Sequence, residues 1–139
     1  MKEYYMNIAL IEAKKAQKKG EIPVGVVIVL NNEIISKSHN NRQKKYNVLG
    51  HAEINAILKA EKKIKDWRLD ACEMYVTMYP CKMCEMIINE SRIKKIYYLI
   101  ENHSNQNITN NKTEQIKINE LEVENYKQII KTFFQKIRK

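Results

Sequence analysis

The chain has 139 residues, the size of one ordinary domain, and can bury a core without disulfide bonds. Its 25 Lys and Arg residues against 16 Asp and Glu give a formal net charge of +9, which attracts polyanions such as nucleic acid or reflects a compositional bias. No apolar run approaches the ~18 to 20 residues that span a bilayer, and the charged N-terminus is unlike a signal peptide. These features exclude a membrane-spanning protein and predict one cytoplasmic domain over residues 1–139, with its cysteines reduced.

The first predicted element is an amphipathic helix over residues 2–19 that ends at Gly20. Tyr4, Ile8 and Ile11 share one stripe of this helix, and lysines occupy much of the rest. We therefore expect this stripe to cover a sheet.

A hairpin and a second helix follow. "VGVVIVL" (24–30) is a β-branched run, "NN" is a turn, and "EIISKS" (33–38) predicts the returning strand. "HAEINAILKAEKKI" (51–64) has apolar residues at helical spacing.

The next segments predict strand 73–78, a helix that begins at the cysteine pair, and strand 92–100. This β-α-β-α-β order predicts an α/β domain with helices on both faces of a largely parallel region.

Two further features close the chain. Five of the ten residues 102–111 are Asn, which predicts a surface loop, and "QIKIN" (115–119) predicts a short edge strand. The last helix has a cationic face and an apolar one, formed by Tyr126, Ile129, Ile130, Phe133, Phe134 and Ile137.

A candidate metal site comes from two helix starts. Cys81 and Cys84 are spaced to place both sulfurs on one helix face, where the helix N-terminus favours thiolates. His51 opens the helix before them. A catalytic zinc site takes three protein ligands and leaves one position for water, so these three residues suffice.

Glu53 follows two residues after His51 and is the candidate proton carrier. Positions i and i+2 of a helix point apart, so both can face one pocket only if His51 has non-helical dihedrals at the helix mouth. Glu53 would then be a carboxylate beside the metal that is not a ligand.

Each of these residues also has a simpler interpretation. A CxxC pair can be a redox motif on a thioredoxin-like scaffold, and an isolated HxE can be surface decoration. His39 and His103 are better explained as loop residues, Cys72 as a small apolar residue, and Asn40 as a turn residue. The two motifs together, each at a helix start, favour a metal site.

"HAE" followed by "PCKMC" resembles the signature of zinc-dependent nucleoside and nucleobase deaminases. "EIPVGVVIV", "WRLDACEMYVTMYPCKMC", "SRIKKIYY" and "FFQKIR" resemble, in order, blocks of the bacterial tRNA adenosine deaminases, within the cytidine and deoxycytidylate deaminase superfamily. The resemblance implies a three-layer α/β/α fold with a five-stranded mixed sheet. It also implies a homodimer with one Zn²⁺ per subunit, which acts on the wobble adenosine of a tRNA anticodon loop and releases inosine and ammonia.

The resemblance also implies roles for individual residues. His51, Cys81 and Cys84 would hold zinc, and Glu53 would move protons. The target base would be bound by three further residues: Asn40 through a hydrogen bond, Val24 by packing, and Ala52 through its backbone N–H near the reacting carbon.

The chain departs from the family pattern in three places. Tyr79 stands where the family has Glu, and Glu85, Met86 and Ile87 replace small residues after the second cysteine. The Asn-rich loop 101–112 replaces a segment that helps the tRNA enzymes grip the anticodon loop. A deaminase of free bases or nucleosides, and a non-catalytic zinc-stabilised RNA-binding module, are the alternative functions.

Overall fold

The computed structural model describes residues 2–42, 46–102, 112–118 and 122–137. His103, most of the Asn-rich segment and the last two basic residues lie outside the described residues. Within them, the chain forms four helices and five strands, in this order: α1 (Lys2–Lys18), β1 (Gly25–Leu30), β2 (Glu33–His39), α2 (Ala52–Ile64), β3 (Cys72–Met78), α3 (Lys82–Glu90), β4 (Lys95–Ile100), β5 (Glu114–Lys117) and α4 (Glu122–Ile137).

The strands form one mixed sheet in the order β2-β1-β3-β4-β5. β1 is antiparallel to both β2 and β3, whereas β3–β4 and β4–β5 are parallel, so the predicted parallel region covers half of the strand pairings. Asn31 and Asn32 have φ of 51° and 63°, a left-handed pair that forms the two-residue turn between β1 and β2. The predicted edge strand is β5.

Two layers of helices cover the sheet. Side chains alternate between its faces, so Val26 and Ile28 pack with α2 and α3, while Val27 and Val29 pack with α1 and with Tyr126 of α4. This is the three-layer α/β/α arrangement that the sequence predicts.

The predicted buried stripe of α1 is wrong. Tyr4 and Ile11 are exposed, and the buried face carries Met6 and several alanines instead. A Cβ on Gly25 would collide with the backbone of α1, so the helix lies close against β1 and only small side chains fit between them.

Strand β4 begins three residues later than predicted. Arg92 has a φ of 66°, in the left-handed region, which ends the turn after α3 and delays the extended backbone until Lys95.

The residues predicted to form the site lie at one end of the three neighbouring strands β2, β1 and β3. The antiparallel pairing of Gly25 with His39 and of Val26 with Val76 brings the start of β1 beside the ends of β2 and β3. Val24 directly precedes β1, Asn40 directly follows β2, and Cys81 comes shortly after β3. No helix in the described ranges has the length and apolar character needed to cross a bilayer.

Candidate metal and active site

His51 and Cys81 each stand directly before a helix, in extended conformation. His51 has φ −79° and ψ 143° before α2, and Cys81 has φ −66° and ψ 169° before α3. The extended backbone of His51 meets the condition under which it and Glu53 can face the same pocket.

The structure brings together the three predicted ligands. One donor atom each from His51, Cys81 and Cys84 lies within 4.8 Å of the others, and the Cys81 sulfur is 3.9 Å from His51 Nδ1. One imidazole and two thiolates are a donor set that suits zinc. Among the described residues, the group has no fourth His, Cys, Asp or Glu, which fits a catalytic site better than a closed structural one.

The electrostatics of the group favour an anionic sulfur. A hydrogen bond from Cys84 and a smaller contribution from the hydrogen bond to His51 lower the pKa of Cys81 to about 4. The Cys84–Cys81 hydrogen bond, together with burial, raises the pKa of Cys84. The hydrogen bond to Cys81 raises the pKa of His51.

Glu53 lies on the first turn of α2 and is almost fully buried. Burial penalises its charged form and raises its pKa to about 7, although its backbone hydrogen bond and the nearby His51 act in the opposite direction. A carboxyl group with this pKa can both accept and donate a proton near neutral pH.

A cavity of about 900 Å³ opens above these residues. His51, Glu53 and Cys81 line it together with Val24 and Asn40, both predicted substrate contacts. Ala52 is buried in the core and is not one of the lining residues, so its predicted contact through the backbone N–H stays a prediction.

Asn40 is 5% exposed, yet its side-chain amide has no hydrogen-bond partner in the part of the chain that the structure describes. Its backbone N–H donates to Val24 O at 3.3 Å. A buried amide without a protein partner is costly, which points to a ligand as its partner rather than to a turn.

The cavity is also lined by residues that the sequence analysis did not assign to the site. These include Arg42, Lys117, Lys127 and Phe134, and the last two belong to α4. The amphipathic pattern of α4 was the available signal, but it could not show which lysine faces the cavity.

Tyr79, where the chain departs from the family, also lines the cavity. Its hydroxyl donates a hydrogen bond to the carboxylate of Glu85, and both side chains are buried. Met86, another departure, is about half exposed on α3.

The other histidine and cysteine of the described chain lie apart from this group. His39 Nδ1 is 3.0 Å from Glu12 Oε1, and Lys15 also contacts the Glu12 carboxylate, at 2.7 Å. Cys72 is buried in the core, as the sequence predicts.

Comparison with known proteins gives a consistent set of relatives. The family model for the cytidine and deoxycytidylate deaminase zinc-binding region matches residues 1–100. The tRNA-specific adenosine deaminases of Bacillus subtilis and Aquifex aeolicus are 44% identical over 96 residues and 45% identical over 97 residues. These alignments cover 69% and 70% of this chain but 60% and 64% of the relatives, so the chain matches less than two thirds of their length.

Two solved structures are also similar. One comes from a study of A-to-I editing by tRNA deaminases at the wobble position of transfer RNA, and it is 29% identical with a TM-score of 0.79. The match covers 84% of this chain and 98% of that one. The other, a guanine deaminase from Bacillus subtilis, is 25% identical with a TM-score of 0.70, over 94% of this chain and 93% of that one.

Proposed function

Because this chain belongs to the family of zinc-binding cytidine and deoxycytidylate deaminases, we propose that it converts adenosine to inosine at the wobble position of a tRNA anticodon. Water is consumed and ammonia is released. The observation that carries the proposal is the His51, Cys81 and Cys84 donor set beside buried Glu53, at a cavity that basic residues also line. The curated relatives supply the substrate class.

His51, Cys81 and Cys84 would hold one Zn²⁺ per subunit. When bound, zinc lowers the pKa of a coordinated water toward ~7 and so supplies a nucleophile at neutral pH. The starts of α2 and α3 present these side chains to one another.

Glu53 is the proton carrier. Its carboxylate takes a proton from the attacking water and delivers it to ring nitrogen N1 of adenine, which prepares C6 for attack. The carboxylate then takes the second proton of that water, from the new hydroxyl group on C6, and passes it to the departing amino group, which leaves as ammonia. Its raised pKa suits both directions of transfer.

Asn40, Val24 and Ala52 hold the base. The side chain of Asn40 hydrogen-bonds an edge of adenine, a pairing for which its amide is well suited. Val24 supplies an apolar wall. Ala52 is the first residue of α2, where backbone N–H groups have no partner within the helix, so its N–H is available near the reacting carbon.

The charge of the cavity lining suits RNA. Arg42, Lys117 and Lys127 line the cavity, with Glu101 3.7 Å from Lys117, and the chain carries a formal net charge of +9. An anticodon loop allows its wobble base to flip outward at lower cost than a duplex does. We also propose a cytoplasmic location, which agrees with a tRNA substrate.

A homodimer is part of the proposal. Leu58 on α2 and Met86 on α3 are 59% and 52% exposed, although they are large apolar side chains. Large apolar side chains exposed on the two helices that carry the metal group suit an interface with a second copy.

A deaminase of free guanine is the second candidate, favoured by the similarity to the guanine deaminase along nearly the whole chain. The test is to incubate the zinc-loaded protein with an anticodon stem-loop that contains a wobble adenosine, and separately with free guanine, and to measure inosine, xanthine and ammonia. We expect inosine from the RNA. Xanthine alone would favour the second candidate.

The matched control is Glu53→Gln, which keeps the shape of the side chain but cannot move the proton. We expect it to retain zinc and fold and to lose activity by roughly 10² to 10⁴-fold. Full activity in this variant would refute the assignment of Glu53, whereas lost zinc would show a structural role.

A further inference from the structure

Asn55 joins α2, the helix that follows His51 and carries Glu53, to the segment that follows β2 and contains Asn40. Its side-chain Nδ2 donates to His39 O at 3.2 Å and to Asn41 Oδ1 at 2.9 Å. These two acceptors belong to the residues on either side of Asn40. The amide of Asn55 therefore joins the two residues that flank Asn40 and makes no hydrogen bond to Asn40 itself.

The same segment is held on its other side by the loop before His51. The Asn41 backbone N–H donates to Gly50 O at 2.8 Å. A Cβ on Gly50 would lie 2.7 Å from both Arg42 N and Asn41 Oδ1, so only glycine allows this close approach. The backbone around Asn40 is thus fixed between α2 and Gly50.

We infer that Asn55, acting with Asn41, is a positioning residue that sets where the Asn40 amide lies relative to Glu53. This inference rests on the proposed function, in which Asn40 reads the base and Glu53 moves the proton. Because no protein group holds the Asn40 side chain among the described residues, its direction depends on its own backbone. That backbone is what Asn55 holds.

The location of Asn55 links the position of Asn40 directly to that of Glu53. It lies two residues after Glu53, and its own N–H donates to His51 O at 3.0 Å in the first turn of α2. A shift of the loop at Asn40 would therefore move the base relative to the proton carrier, and a displacement of about 1 Å can lower a rate by ~10²-fold.

The first test is a double-mutant cycle on the zinc-loaded full chain with the wobble-adenosine stem-loop. Asn55→Ala should lower kcat/KM by about tenfold, the loss expected from one or two hydrogen bonds. Asn40→Ala should lower it as well, and the double variant should be no worse than Asn40→Ala alone. Losses that multiply would overturn the inference, because they would show that Asn55 acts independently of Asn40.

A matched control separates positioning from general support of the helix. Ser36 Oγ donates to Ala56 O at 2.9 Å, another side-chain hydrogen bond between β2 and α2, away from the cavity lining. Ser36→Ala should leave kcat/KM within about twofold of the unmodified chain. An equal loss in Ser36→Ala and Asn55→Ala would overturn the inference.

The second test needs no activity. Amide hydrogen exchange at Asn40 and Asn41 should be at least about fivefold faster in Asn55→Ala and unchanged in Ser36→Ala. Unchanged exchange in Asn55→Ala would overturn the inference even if the enzyme is active. If the unmodified chain makes no inosine, the proposed function fails, and the exchange data still decide whether Asn55 holds this segment.

Discussion

Replacement of Tyr126 by phenylalanine should loosen α4, a helix that lines the cavity. Tyr126 is fully buried, and its hydroxyl donates to Pro23 O at 2.7 Å and accepts from Thr77 Oγ1 at 2.9 Å. Thr77 Oγ1 in turn accepts from the Gly25 backbone N–H at 3.1 Å. This chain of hydrogen bonds ties α4 to the ends of β1 and β3.

The magnitude follows from what Tyr126→Phe leaves behind. The ring and its packing remain, but two buried hydrogen bonds disappear and leave Pro23 O and the Thr77 hydroxyl without their partner. At about 1 to 1.5 kcal/mol for each bond, the free energy of unfolding should fall by roughly 2 to 3 kcal/mol. For a domain of this size, that corresponds to a decrease in Tm of roughly 6 to 10 °C.

The assay is urea and thermal unfolding of the zinc-loaded chain, with Tyr75→Phe as the control. Tyr75 is also buried, but its hydroxyl has no hydrogen-bond partner within the described ranges, so its removal should cost less than about 0.5 kcal/mol. KM for the RNA should rise in Tyr126→Phe, because Lys127 of α4 lines the cavity. Equal stability of the two variants would refute the reasoning.

Three further predictions test the metal group, the α1 contact and the RNA surface. Cys84→Ser should retain less than about a tenth of the bound zinc, measured by metal analysis with Glu53→Gln as the control that keeps it, and equal zinc in the two would exclude Cys84 as a ligand. Burial raises the pKa of Glu12, but its hydrogen bonds outweigh burial and lower it below 4.5. Because the pKa is lower in the folded chain, the ionised Glu12 stabilises the fold above pH 4.5. The difference in free energy of unfolding between the unmodified chain and Glu12→Gln, measured with urea, should therefore shrink as the pH falls through the folded pKa. A difference that is constant with pH would contradict this. Lys127→Gln should weaken RNA binding and reduce the slope of log affinity against log salt by about 1, whereas Lys63→Gln, at the far end of α2, should change neither.

The sequence predicts the elements of the fold well where local signals are strong. The β-branched run 24–30 and the two asparagines after it predict β1 and its turn, because both the strand and the left-handed turn are local preferences. The buried face of α1 was not predictable from periodicity. It depends on how closely the helix approaches Gly25, which only the folded chain shows.

The candidate site, too, could be predicted from the sequence only in part. His51, Cys81 and Cys84 could be grouped from spacing and chemistry, since metal ligands leave a recognisable pattern. The hydrogen bonds made by Asn55 and by Tyr126 could not be predicted from the sequence, because each joins segments whose proximity is set by the order of the strands in the sheet. A single Asn or Tyr in a helix carries no local sign of its distant partner.

The two outer strands of the sheet limit how copies of this chain can associate. β5 is four residues long, and β2 carries Glu33 and Lys37 as exposed residues beside a register shift in its pairing with β1. Short, charged and irregular strands are poor templates for backbone pairing, so edge-to-edge aggregation is disfavoured. At high concentration, association through side-chain surfaces should therefore be favoured over backbone pairing of these strands.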